Sequence, residues 1–165
     1  MRRLPSVDVV VDTSALVRNE SGTISGPIWL RDGDPDVQAD FPEVGWVDVP
    51  VVALAAWAQE LQRLMRTLPA SGVETACRFM DGPYYFTVRV ETAGAWLVRC
   101  FEVRDQPVGA EHPVHEWKTG SSAFLATVVR AGRAVLAQCD ERGWWSSETE
   151  LLRRCLESGS QYRTG

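Results

Sequence analysis

Residues 76–103 read ACRFMDGPYYFTVRVETAGAWLVRCFEV, and this stretch decides the fold class. Large apolar residues recur at every second position from Phe86 to Val90 and again from Trp96 to Cys100. Turn-forming residues at 81–83 and 93–94 separate the apolar runs. The pattern predicts a three-stranded antiparallel meander with one buried face and one partly wet face.

A strand pair is predicted ahead of this meander. The segment Val7–Val17 is rich in β-branched residues and partly alternating, which is typical of a first strand. Asn19–Gly22 supplies turn residues, and the extended pattern resumes from Ile24 to Leu30. The two runs therefore predict an antiparallel hairpin.

A long amphipathic helix is predicted between the hairpin and the meander. Asp48 is placed to cap it, and Pro50 stands where a missing N–H does no harm. Pro69 and Gly72 are expected to end it. Its apolar residues recur at helical spacing: Leu54, Trp57, Ala58, Leu61, Leu64, Met65 and Leu68.

Two more helices are predicted after a polar connection from Arg104 to Gly120. The first is expected to be capped by Ser121 or Ser122 and to end at Gly143, which suits a left-handed C-terminal residue. The second begins with Ser147 and Glu150 at the spacing of a capping box.

The element order is thus ββ-α-βββ-αα, which predicts an α+β fold: an antiparallel sheet of about five strands with helices packed on one face. Length and composition fit a single domain over residues 1–157, followed by a disordered tail at 158–165.

Composition limits the cellular compartment and the kinds of partner that fit the chain. The longest apolar run, Val49–Ala58, is about half of what a bilayer-spanning helix needs, so no membrane association is expected. Four widely separated cysteines are interpreted as buried free thiols of a reducing, cytoplasmic compartment. A net charge of −5 disfavours nucleic acid and favours a basic partner. Nothing in the sequence fixes the oligomeric state.

Residues 31–48 form the most acidic stretch, with aromatic residues interleaved. Carboxylates beside aromatic rings can dock on a basic site, with charge steering the encounter and the rings anchoring it. The same pattern also fits a solvated loop whose rings pack into the core. The predicted partner-binding residues are Asp32, Asp34, Asp36, Asp40, Phe41, Glu43 and Trp46.

Catalytic and metal sites find little support in the residue spacing. His112 and His115 are the two histidines, and Pro113 between them prevents a regular helix from presenting both rings together. The run Asp32-x-Asp34-x-Asp36 has oxygen-ligand spacing, but the glycine that an EF-hand loop requires is misplaced. We therefore predict no catalytic residue, no metal and no cofactor.

One enzymatic alternative stays open. The residues Val9-Val10-Val11-Asp12-Thr13-Ser14-Ala15-Leu16 resemble the opening strand of PIN-domain ribonucleases. That resemblance implies a metal-ligating role for Asp12, together with later acids, and a fold of parallel strands. Candidate later acids are Glu60, Asp81 and Asp105, although none has a matching local context.

A broader resemblance runs from Phe41 to Trp144. The matching elements are Phe41-Pro42, Gly45-Trp46, Asp48, Trp57, Phe79-Met80-Asp81-Gly82-Pro83-Tyr84, and the helix through Cys139 to Gly143-Trp144. They resemble small bacterial immunity proteins encoded beside polymorphic or contact-dependent toxins. The resemblance implies a cytosolic, non-enzymatic inhibitor that occludes one cognate toxin. Another non-catalytic binding or scaffold role is the remaining alternative.

Overall fold

The computed structural model describes residues 6–66, 71–103 and 112–159. Two antiparallel sheets and three helices form an α+β fold in this part of the chain. The elements are β1 (Val7–Val11), β2 (Val17–Arg18), β3 (Ile24–Asp32), β4 (Asp40–Phe41), β5 (Val47–Asp48), α1 (Pro50–Arg66), β6 (Glu74–Arg78), β7 (Tyr84–Thr92), β8 (Ala95–Glu102), β9 (His115–Gly120), α2 (Ser121–Glu141) and α3 (Ser147–Gly159).

The first sheet is built around β3, which pairs antiparallel with β1, β2, β4 and β5. The predicted hairpin is present, but the predicted first strand is broken by a single 3-10 turn at Thr13–Ala15. The carboxylate of Asp12 accepts the N–H of Ser14 at 3.1 Å and thereby stabilises this turn. The acidic stretch of residues 31–48 supplies the two short strands β4 and β5.

The second sheet has the order β6-β7-β8-β9, and its first three strands confirm the predicted meander. The fourth strand falls within the predicted polar connection and was not predicted. Trp117 and Thr119 of β9 are buried while Glu116 and Lys118 are exposed. Two antiparallel sheets are present where a single sheet of about five strands was predicted. The short, mostly polar β9 is held as a strand by pairing with β8.

The helices pack on the sheets and share one core with them. Trp57 of α1 meets Phe86 of β7 edge to face at 5.0 Å, and Phe124 of α2 meets Phe86 at 6.2 Å. Trp96 of β8 also contacts Phe124 edge to face. Because the alternating apolar positions of β7 and β8 face these helices, the predicted buried face of the meander is confirmed.

The helix ends differ from the predictions by small shifts. Gly120 precedes α2 without a side-chain cap, so neither predicted serine caps that helix. Gly143 has φ +68°, as predicted for its C-terminal end. Ser146 and Thr149 exchange hydrogen bonds at the start of α3, one residue before the predicted capping box. Helix α3 continues to Gly159, two residues into the predicted tail, and 160–165 lie outside the described residues.

Candidate functional site

The tip of the acidic loop is shaped by its own carboxylates. Asp32 Oδ1 accepts the N–H of Asp34 at 2.9 Å, and Asp34 Oδ1 accepts the N–H of Asp36 at 2.9 Å. Such local bonds are the usual way in which aspartates stabilise turns. Asp32 and Asp34, both predicted to bind a partner, therefore also stabilise the loop, while Asp36 is exposed.

Asp40 is committed to the sheet. Its Oδ1 accepts hydrogen bonds from the indole of Trp29 at 2.9 Å and from Arg31 Nε at 2.8 Å. The Asp40 side chain is only 16% exposed. Since Arg31 compensates its charge, Asp40 holds β4 against β3 and offers little to a partner.

Phe41 is a core residue rather than a surface anchor. It is 2% exposed and meets Phe79, Tyr84 and His115 edge to face at 5.9, 5.7 and 6.3 Å. The prediction that Phe41 contacts a partner is corrected by this burial. For this ring the alternative interpretation, an aromatic side chain packed into the core, is the right one.

His115 falls within the predicted polar connection but begins β9. Its ring stacks on Trp117 at 5.0 Å. The predicted companion His112 is exposed. The two histidines thus belong to different environments.

Trp46 is half-buried and links the acidic loop to the β6–β7 turn. Its ring contacts Tyr84 edge to face at 4.9 Å, and its carbonyl accepts the N–H of Ile28 at 2.8 Å. Gly82 lies so close that an added Cβ there would come within 2.9 Å of the Trp46 ring. Trp46 therefore has one face against the protein and only part of its surface left for a partner.

Asp48 makes the connection between these two segments. Its side chain is fully buried, yet its two oxygens accept four hydrogen bonds. The donors are the indole of Trp46 (3.1 Å) and the backbone N–H groups of Val49 (2.7 Å), Met80 (3.0 Å) and Asp81 (3.2 Å). Asp48 thus ties the loop to the turn, instead of capping α1 as predicted.

The loop and the turn together present exposed apolar side chains beside carboxylates. Val44 is 61% exposed, Val47 56% and Met80 40%. Glu43 and Asp81 are exposed on the same two segments. We call these five residues the loop–turn surface. Of these five residues, only Glu43 was among the predicted partner-binding residues. The nearness of Met80 and Asp81 to the loop depends on contacts made by Asp48 across the fold.

The residues considered for metal-dependent catalysis do not come together. Among residues 6–66, 71–103 and 112–159, no group of three or more His, Cys, Asp or Glu side chains is placed to hold a metal ion. Asp12 is exposed at the 3-10 turn, and Glu60 binds Thr75 and Arg63. Asp105 lies outside the described residues. The antiparallel sheets also differ from the parallel strands that the PIN-domain resemblance implies.

The four cysteines are free and buried, as predicted. Burial raises the pKa of the Cys77 and Cys100 thiols far above the ordinary value. Since the thiolate is the nucleophile, these positions are poorly suited to thiol chemistry.

No family model, curated protein or solved structure matches the chain. None of the described helices combines the length and the apolar composition that crossing a bilayer requires.

Proposed function

We propose that the chain is an inhibitor of the immunity type, which binds a basic surface of a cognate bacterial toxin in the cytoplasm. The observation that carries the proposal is the loop–turn surface, where Val44, Val47 and Met80 are exposed on the same two segments as the carboxylates of Glu43 and Asp81. Exposed apolar groups rimmed by charge are typical of protein-binding surfaces.

The surface is held in shape before any partner arrives. Four hydrogen bonds to the buried Asp48 fix the loop and the turn relative to each other. The Trp46 ring fills the space between Gly82 and Tyr84. A surface that needs little ordering on binding retains more of its contact energy as affinity.

Charge favours a basic partner. Glu43 and Asp81 are exposed on the same two segments as the apolar residues, and the chain as a whole carries a net charge of −5. Opposite charge on a toxin surface would accelerate the encounter, while the apolar residues would slow dissociation. The choice of a toxin rests on the resemblance to immunity proteins, and the choice of a basic protein surface rests on this charge.

Co-purification of the tagged full chain from its native host, followed by identification of the bound protein, tests the proposal. We expect a stoichiometric partner with a basic binding face. The double variant Glu43→Lys with Asp81→Lys should slow association about tenfold at low ionic strength.

A matched control separates local from overall charge. Glu20→Lys with Glu141→Lys changes the net charge equally at exposed positions on other elements. It should leave the association rate nearly unchanged. Absence of any partner, or equal slowing by both double variants, would contradict the proposal. A partner that is not a toxin would instead support the general binding alternative.

A further inference from the structure

A second surface lies between α1 and α3, on the helical layer. It is a cleft of about 370 Å³; within the described part of the chain its lining includes three arginines and no carboxylate, although the chain is acidic overall. The lining residues are Gln59, Gln62, Arg63, Arg66, Leu151, Arg154, Cys155 and Ser158. We call it the α1–α3 cleft. Its volume is within the range of small-molecule sites.

The floor of the cleft is fixed by a buried hydrogen bond between the two helices. Gln62 is 2% exposed, and its amide donates to the carbonyl of Cys155 at 2.8 Å. The lining positions recur every three or four residues on each helix, so each helix contributes one row of side chains. The cleft is therefore formed by rigid elements and does not need a ligand to open it.

The arginines are placed differently within the cleft. Arg63 is held by Glu60 and the Thr75 hydroxyl, which partly compensates its charge. Arg154 is exposed and makes no side-chain hydrogen bond or ion pair within the described part of the chain. Its five N–H donors are thus available for an oxyanion, which guanidinium groups bind in a bidentate manner.

Leu151 adds an apolar contact. It is 45% exposed and lies one turn before Arg154 on the same row of α3. A ligand with a charged head and an apolar group would meet both residues at once.

We propose that the α1–α3 cleft binds a small organic oxyanion, a phosphate or carboxylate that bears a short apolar group. Arg154 pairs with the oxyanion, and Leu151 contacts the apolar group. This site shares no residue with the loop–turn surface, so it stands independently of the proposed inhibitor function.

Calorimetric titration of the full chain with phenyl phosphate and, separately, with benzoate tests the proposal. We expect saturable one-to-one binding of at least one probe, with a Kd of about 1 mM or tighter. Tighter binding of phenyl phosphate assigns the head group as phosphate, and tighter binding of benzoate assigns it as carboxylate. Arg154→Gln should weaken binding about tenfold, the usual effect of losing a charged hydrogen-bond donor.

Arg130→Gln is the matched control, because Arg130 is exposed on α2 and does not line the cleft. It should leave the Kd unchanged. Circular dichroism of both variants checks that they are folded, which is expected since both side chains are exposed. Absence of saturable binding by either probe, or equal weakening by both substitutions, would overturn the proposal.

Discussion

Asp48 accepts the indole N–H of Trp46 at 3.1 Å although its carboxylate is fully buried. The same carboxylate also receives the backbone N–H groups of Met80 and Asp81. One side chain thus determines how the acidic loop and the β6–β7 turn sit together.

Replacing Asp48 with Asn should destabilise the fold by about 2–4 kcal/mol, because the amide group cannot accept from all four donors and leaves buried N–H groups unpaired. Urea unfolding measures the change, and hydrogen exchange at Met80 and Asp81 should accelerate. Asp36→Asn, on the exposed tip of the same loop, should stay within about 0.5 kcal/mol. Equal stabilities of the two variants would contradict the structural role of Asp48.

Gly82 should resist substitution for two reasons. Its φ is +70°, and an added Cβ would come within 2.9 Å of the Trp46 ring. Gly82→Ala should therefore lower the free energy of unfolding by about 2 kcal/mol or more, with about 1–2 kcal/mol from the backbone alone. Gly72→Ala is the control, because Gly72 has φ +93° with no atom near the new Cβ. A loss at Gly82 no greater than at Gly72 would show that the Trp46 contact is not tight.

The contribution of core packing to stability is tested most directly by substituting Trp57. It is fully buried, its indole donates to the carbonyl of Arg78 at 2.7 Å, and it packs against Phe79 and Phe86. Trp57→Phe should cost about 2–3 kcal/mol in thermal or urea unfolding, from lost volume and an unpaired carbonyl. Trp145→Phe, at a ring 70% exposed, should change stability by less than about 0.5 kcal/mol. The reverse order would refute the assigned burial.

Glu60 should make stability depend on pH. A hydrogen bond from Thr75 and then one from Arg63 hold the pKa of Glu60 below its ordinary value. A lowered folded-state pKa stabilises the fold above the unfolded-state pKa, and this stabilisation is lost as pH falls through the folded-state pKa.

Glu60→Gln should therefore reduce stability at pH 7 by at most about 1 kcal/mol, since the group is partly exposed and screened by solvent. The difference from the parent chain should shrink as pH falls below about 4.3. Urea unfolding at several pH values measures it. Glu20→Gln, at an exposed turn position, should show no such trend. If the stability difference between Glu60→Gln and the parent chain did not change with pH, the hydrogen-bonded Glu60 carboxylate would not be its cause.

The thiols should be protected in the native state. Burial raises the pKa of all four, most strongly at Cys77 and Cys100. Reaction with a disulfide reagent at pH 8 should be at least about a hundredfold slower in buffer than in urea. Rapid native reaction of any cysteine would show that the corresponding part of the core opens readily.

The helices and strands that show a regular apolar pattern within their own residues were predicted from the sequence. The alternation in residues 84–102 specifies β7 and β8, and the row from Leu54 to Leu64 specifies α1. β9 was missed because His115–Gly120 is short and contains only one large apolar residue, Trp117. Its strand geometry depends on pairing with β8, which no local pattern reports.

The candidate site was predicted only in part. The acidic stretch carries the exposed Asp36 and Glu43, yet Asp40 is paired with Arg31 and Phe41 is buried. Met80 and Asp81 lie more than thirty positions from Asp48 in the chain, and their link to it is a hydrogen-bonded contact across the fold. Spacing within the loop carries no information about it.

The α+β class, the three helices, the meander strands and the burial of the thiols follow from the sequence alone, because periodicity and composition act through neighbouring residues. Tertiary structure decided the number of sheets and which acidic and aromatic side chains are exposed. Periodicity determines only which side of its own helix or strand a residue faces. Burial and hydrogen-bond partners are fixed only when distant elements pack together.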